Sequence, residues 1–289
     1  MTSEEQQHID IIKEILEHGQ KTEGRNGSTK SLFVRSMKFS LNGHLLKSHP
    51  KSVSFDLPIS TTGGTFTKGL IEEFKQFVLN GSTDSNLLEQ NGVNIWRANT
   101  ENSHGIIGPA YGHNYRNYGG TYDPSGSTRD GIDQLEEVIR TLNEEPNGRR
   151  HIILNYDPRE NDKCVLYPCQ MLFQFYVSHE KEGFDGGSLS VHSYNRSSDI
   201  CCAGMWNTGF ASLLCAYVAL KTNLRPDKVI MTFGNVHVYE NQESLAREHI
   251  LRTPKAKMPK CTLDTDGNIF LDNFDKTGYY PGIKYPMTA

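Results

Sequence analysis

Tyr167-Pro168-Cys169-Gln170 and, one strand and one turn later, Tyr194-Asn195-Arg196-Ser197-Ser198-Asp199 are the two ends of a hairpin that decides how this chain reads. Cys169 follows a proline at the head of an alternating apolar run. Strand periodicity places Cys169, Met171, Phe173, Phe175 and Val177 on one face. Glu180 to Gly187 is charged and glycine-rich, as a hairpin loop should be. Leu189 to Asn195 is the returning strand, and antiparallel pairing alone brings Arg196 back beside Cys169. A thiol attacks as its thiolate, which a neighbouring cation favours. Arg196 with Ser197 is also a compact anion clamp, a planar fork beside a hydroxyl. For Cys169 alone a buried structural cysteine is the plain alternative. A helix opening at Asn207, with the asparagine expected at its N-terminal cap, adds a polar reader and tips the reading toward a site.

The 289 residues allow a large buried core, and no repeat, low-complexity linker or composition break divides them, so one domain, 1–289, is expected. A formal net charge of −4 argues against a general nucleic-acid coat; an anionic ligand must meet a local basic cluster. No run reads as long and apolar enough to span a bilayer, and the acidic start, Met1 to Glu5, lacks a signal-peptide pattern. Six cysteines without a C-x-x-C pair suggest reduced thiols in a cytosolic or nuclear protein, hence a cytoplasmic location.

Ser3 with Gln6 resembles a capping box before a helix carrying Ile9, Ile12 and Leu16, with Gly19 as its stop. Arg25 lies in a polar glycine-containing loop ahead of a strand from about Ser31 to Leu41; solvated surface charge is the plain reading, a phosphate contact the sharper one. Asn42 to Val53 reads as a surface insertion. A helix over Phe66–Leu79 aligns Leu70, Phe74 and Phe77, with Glu73 beside the stripe as a boundary carboxylate or a cleft acid raised by burial. Trp96 is one of two tryptophans, and Gly108-Pro109-Ala110-Tyr111-Gly112 displays an aromatic on a turn. Asp133 to Leu142 is amphipathic. Arg149-Arg150 then open a strand carrying Ile152, Leu154 and Tyr156, usually solvated but a ready anion site. Val229 to Phe233 leads into Gly234-Asn235-Val236-His237-Val238-Tyr239, Asp264 to Asn268 signals a hairpin turn, and the tail from Tyr279 has no periodicity.

Other chemistries fit less well. Nothing in the sequence aims His237 at Cys169 as a protease base. Adjacent Cys201-Cys202 cannot easily share one zinc ion, so no metal is expected. Glycine-rich nucleotide loops are absent.

On these residues the chain resembles the thymidylate synthase family from about Arg25 to Ala289. The motifs are Pro168-Cys169, Gln174-Phe175-Tyr176-Val177, Arg196-Ser197-x-Asp199, Trp206-Asn207 and His237-x-Tyr239. They are joined by Gly92-Val93-Asn94-Ile95-Trp96, Gly108 to Gly112, Ile132-Asp133-Gln134, Arg149-Arg150 and Pro281-Gly282-Ile283-Lys284. The resemblance implies an α+β fold, a bent mixed sheet flanked by helices and dimerised sheet to sheet. It implies dUMP as substrate and 5,10-methylenetetrahydrofolate as donor of carbon and hydride, with no membrane and no obligatory nucleic acid as partner. Cys169 would add to uracil C6. Arg25, Arg196 and Ser197 would hold the phosphate with Arg149 and Arg150 from the other subunit, and Asn207 would read the ring. His237 and Tyr239 would hold the sugar, Glu73 and Tyr111 would manage protons, and Trp96, Leu166, Asp199, Ala203 and the tail to Ala289 would meet the folate.

Six positions depart from the family's pattern: Gly63-Gly64 for basic residues, Arg97 for aspartate, Gln170 for histidine, Ala203 for glycine and Asn235 for aspartate. They put the folate contacts in question and keep a sibling chemistry open, a dUMP hydroxymethylase in which water captures the methylene. Asn207 argues against the cytosine-specific version; retained Trp96, Leu166 and the tail favour hydride transfer. An RNA-binding or regulatory protein on this scaffold is the reading from another class, disfavoured by the intact Cys169, Arg196 and Asn207.

Overall fold

The computed structural model describes residues 3–47, 51–179, 187–255, 257–272 and 282–286. Among the described residues the strands are β1 (Gln20–Gly24), β2 (Gly27–Ser40), β3 (His44–Leu46), β4 (Ser52–Asp56), β5 (Ile152–Leu154), β6 (Gln170–Ser178), β7 (Ser188–Asp199), β8 (Arg225–Tyr239), β9 (Lys260–Asp264) and β10 (Ile269–Asp272). A six-stranded sheet runs β1-β2-β8-β7-β6-β5. It is mixed, since β7 and β8 are parallel and every other neighbouring pair antiparallel. A second, antiparallel sheet runs β10-β9-β4-β3. The stretch expected to be a surface insertion thus supplies β3 and part of β4, where Val53 and Phe55 are fully buried. Its polar composition hid them because sheet pairing, not side-chain character, satisfies their backbone.

The helices are α1 (Gln6–His18), α2 (Thr67–Phe74), α3 (Ser85–Gln90), α4 (Arg97–Thr100), α5 (Gly112–Asn117), α6 (Gln134–Glu144), α7 (Met205–Lys221) and α8 (Glu243–His249). A π-turn, Lys75–Asn80, prolongs α2. At α1 the expected capping box does not form; Glu5 holds the cap position and turns its side chain elsewhere. At α6 the side chain of Asp133 accepts the Glu136 amide, a regular N-cap.

Helix α7 lies at the centre, with 14 of its 17 residues buried. Thr208 and Ser212 survive there because each hydroxyl donates to a carbonyl one turn back, Gly204 and Thr208, at 2.8 and 2.7 Å. The segment Ile200–Lys221 is in fact long and apolar enough to cross a membrane, contrary to the sequence reading, but 83% of its apolar 18-residue stretch is buried inside the protein. It is apolar all round because protein surrounds it.

One face of the six-stranded sheet packs on this core through Met37, Phe39, Ile153, Phe173, Phe175, Val191, Met231 and Phe233. The opposite face carries Ile152, Leu154 and Tyr176, exposed by 39, 40 and 67%. The alternation expected after Arg149-Arg150 is present, but its apolar members look outward and only Ile153 enters the core.

Candidate active site

The hairpin that opened the sequence analysis forms as expected. Strands β6 and β7 pair antiparallel, and the Arg196 amide donates to the Cys169 carbonyl at 2.9 Å. The single-face reading of Cys169 to Val177 fails. The register slips between Gln170 and Leu172, a bulge at Met171, so that Gln170 opposes buried Asn195 while Leu172 opposes Tyr194 on the outer face. Gln170, 5% exposed, donates towards Ser193 Oγ and the Asn207 carbonyl, each at 3.3 Å.

Cys169 borders a cavity of about 540 Å³ whose wall includes Glu73, Trp96, Tyr111, Leu166, Ala203, Trp206 and Asn207. Arg196 Nη2 is 3.9 Å from the sulfur. The same guanidinium donates through Nε to the Pro168 carbonyl (3.0 Å) and through Nη2 to that of Tyr167 (2.7 Å), so it fixes the loop that presents the thiol. Burial pushes the Cys169 thiol above its ordinary range, and Arg196 pulls against that. Tyr111 is held at φ +42°, and its hydroxyl accepts the Cys169 amide at 3.3 Å. Its ring stacks on Phe77, centroids 5.5 Å apart, and meets Trp96 edge-on.

Glu73 is the cleft acid. Its two oxygens accept from the indole N–H groups of Trp96 and Trp206, both at 2.8 Å. Burial raises its pKa, and the two indole bonds, which favour the carboxylate, hold part of the rise back. Trp206 had no role in the sequence reading. The clue available was position, the second of two tryptophans, adjoining Asn207.

Asn207 is not a cap. A π-turn, Ile200–Gly204, precedes α7, and its cap is Asp199, whose Oδ1 accepts the Cys201 and Cys202 amides at 3.1 Å. Asn207 therefore lies in the first turn of α7 and borders the cavity. The other oxygen of Asp199 accepts from Gln242 at 2.7 Å.

The remaining expected residues follow β7, β8 and the β1–β2 turn. Parallel pairing sets Ser197 against Asn235 and Asp199 against His237. His237 shares a hydrogen bond of 2.9 Å with Asn235 Oδ1 and meets Tyr239 edge-on at 5.2 Å. Burial lowers the His237 pKa against the pull of Asp199. Arg25 occupies the two-residue turn between β1 and β2, exposed, and its charge is felt at Tyr239. A second hollow, about 320 Å³, lies there against Asn26, Ser28 and Tyr239. Arg149 and Arg150 are exposed ahead of β5 and do not border the cavity. Ala289 and the tail around Tyr279 lie outside the described residues.

Two departures have visible consequences. Gly63 accepts the Ile283 amide at 2.7 Å, and Gly64, at φ +79°, would bring a Cβ within 2.8 Å of the Gly282 Cα. A side chain at position 64 would meet the C-terminal segment. Arg97 instead pairs with Glu89 on the surface, Nη2 to Oε2 at 2.7 Å.

A thiol beside a guanidinium, facing an aromatic cavity with a buried acid, brings together the parts that covalent nucleophilic group transfer requires. A family model of thymidylate synthase matches residues 6–289. The thymidylate synthase of Saccharomyces cerevisiae is 34% identical over 98% of this chain and 96% of its own. The "Thymidylate synthase 1/2" of Encephalitozoon cuniculi is 32% identical, covering 99% and 97%, and the thymidylate synthase of Brachyspira hyodysenteriae 31%, covering 96% and 98%. The chain belongs to the thymidylate synthase family, and it is a methyltransferase.

Proposed function

We propose a residue-level account of the reaction this chain shares with its family, the methylation of dUMP to dTMP. Cys169 is the nucleophile. Its sulfur bonds to uracil C6, the C5–C6 electron pair moves toward C5 and O4, and C5 becomes the carbon that accepts a one-carbon unit. Asn207 accepts from N3–H and donates to O4, a pattern that uracil offers and cytosine inverts. 5,10-Methylenetetrahydrofolate supplies the carbon and the hydride. Tyr111, against Cys169, moves the C5 proton, and Glu73 behind it provides a carboxyl of raised pKa. Release of the sulfur from C6 regenerates the thiol.

Arg25, Arg196 and Ser197 hold the phosphate, and His237 with Tyr239 holds the sugar. Trp96, Leu166, Asp199, Ala203 and the C-terminal segment to Ala289 meet the folate; the indole, leucine and alanine walls suit a flat heteroaromatic. The chain acts as a homodimer through the outer face of a bent sheet, where Ile152, Leu154 and Tyr176 are bare, and Arg149 and Arg150 serve the partner's phosphate. One domain over 1–289 and a cytoplasmic location complete the reading, the latter supported by a sparse cysteine pattern with no C-x-x-C pair.

The pairing of Cys169 with Arg196 at the wall of the aromatic cavity carries this account. Relatives named thymidylate synthase in fungal and bacterial lineages favour reduction over hydration of the methylene. Mass spectrometry of the product, with the folate followed by absorbance, is the test. Thymidylate with dihydrofolate is expected; hydroxymethyl-dUMP with tetrahydrofolate would assign the sibling chemistry.

A further inference from the structure

The segment 282–286 borders the cavity through Ile283, Lys284 and Tyr285. Hydrogen bonds hold it there, among them Ile283 N to the Gly63 carbonyl at 2.7 Å, Gln242 Nε2 to the Pro286 carbonyl at 3.0 Å, and the Tyr285 hydroxyl with His249 Nδ1 at 2.8 Å. The last of these continues inward. His249 Nε2 is 2.8 Å from Thr62 Oγ1, and Thr62 Oγ1 is 2.6 Å from Glu5 Oε1. Glu5, Thr62 and His249 are completely buried.

The direction of this chain is fixed by counting protons. Among the described residues the partners of the Glu5 carboxylate are all donors: the Ser60 hydroxyl (3.0 Å), the amides of Thr61 and Thr62 (2.9 and 3.1 Å), and both threonine hydroxyls. The carboxylate therefore accepts, and Thr62 gives it the one proton its hydroxyl owns. His249 Nε2 must then donate to Thr62, which leaves Nδ1 as a lone-pair acceptor. The Tyr285 hydroxyl donates to Nδ1; the Leu245 carbonyl is more distant at 3.5 Å, and the Cys201 side chain, also in hydrogen-bond contact, can give its thiol proton to the phenol oxygen. Burial, with His8 and Arg252 nearby, lowers the pKa of His249 to about 3, so the ring is neutral as this tautomer requires.

We propose that Glu5, Thr62 and His249 are positioning residues for the folate-side wall of the cavity, acting through a one-way hydrogen-bond relay that ends on Tyr285. The residues just ahead of α1 thereby set the placement of the C-terminal segment. The role in turnover rests on the folate reading above, whereas the relay itself can be measured without turnover.

The test is amide hydrogen exchange at Ile283 in the free full-length enzyme, set beside the KM for 5,10-methylenetetrahydrofolate. Tyr285→Phe removes the terminal donor, and Thr62→Val removes the middle hydroxyl at equal shape. Each should speed Ile283 exchange about tenfold, and the double variant no more than either, because both cut the same chain. Thr62→Ser keeps the hydroxyl and should behave as the parent. In the active enzyme the two cutting variants should raise the folate KM several-fold and leave the dUMP Kd unchanged. Unchanged Ile283 exchange in a folded Thr62→Val protein overturns the relay, as does full additivity in the double variant. Faster exchange in a protein that turns over no dUMP would leave the relay standing and count against the reaction assignment.

Discussion

Arg196 lies 3.9 Å from the Cys169 sulfur while two of its nitrogens are spent on the carbonyls of Tyr167 and Pro168. It positions the thiol and also opposes the burial that raises the thiol pKa. Alkylation of Cys169 by iodoacetamide should therefore rise with pH through a midpoint above the ordinary thiol value. Arg196→Gln removes the opposing charge, so the midpoint moves higher and the rate at pH 8 falls about tenfold for each unit of that move. An unmoved midpoint would show that Arg196 has no electrostatic hold on the sulfur. Cys169→Ser should abolish turnover.

Glu73 has one indole on each oxygen. Both bonds stabilise the carboxylate, so Trp206→Phe should raise the Glu73 pKa further above its already raised position. Carboxyl-labelled NMR titration reads this directly. Folding contributes in the same sense. A carboxyl whose folded pKa exceeds its unfolded one favours the folded state below the ordinary carboxylate pKa, and that share of stability is lost as pH rises through the folded value. The variant should extend the loss to higher pH. A downward shift would mean that the indole is not a net donor to the acid.

Asn207→Asp exchanges an amide, which can both donate and accept, for an acceptor when ionised. Discrimination for dUMP over dCMP should fall by at least about a hundredfold, since a buried polar mismatch is what separates the two rings. Competition assays with both nucleotides measure it, and an unchanged ratio would remove Asn207 from the reader role.

Arg149 and Arg150 stand outside the cavity of their own subunit. Equal mixing of Arg149→Ala and Cys169→Ser proteins should restore up to about a quarter of parental activity, as random exchange gives half mixed dimers with one intact site each. Absence of rescue, with subunit exchange demonstrated, would place Arg149 outside the partner's site.

The pairing of β6 with β7, the helices α1, α2, α6 and α7, and the approach of Arg196 to Cys169 were legible because each rests on local periodicity or on adjacency across one turn. The second sheet was not, since β4 pairs with a strand some two hundred residues further on and β3 joins the sheet through β4, and short polar strands carry no period of their own. Asn207 was misread as a cap because the π-turn after Asp199 begins the helical path earlier, and no sequence signal separates that turn from the helix. The partnership of Glu73 with Trp206 joins residues 133 apart in the chain. Glu5, read as part of an acidic start, proved the most heavily hydrogen-bonded carboxylate of the tail relay, a role that only the fold could reveal.

The bulge at Met171 has a consequence for how this region can vary. Ahead of it the strand is counted from Gln170 facing inward; behind it the count restarts from Phe173. Three positions separate Gln170 from Phe173, yet both face inward, where plain alternation would set them on opposite faces. A deletion of Met171 would restore plain alternation and leave Gln170 opposite Asn195, within reach of Ser193 and the Asn207 carbonyl. What it would remove is the local bend that follows Cys169: the extra residue sets the direction of the loop that carries the thiol, not the facing of the strand behind it.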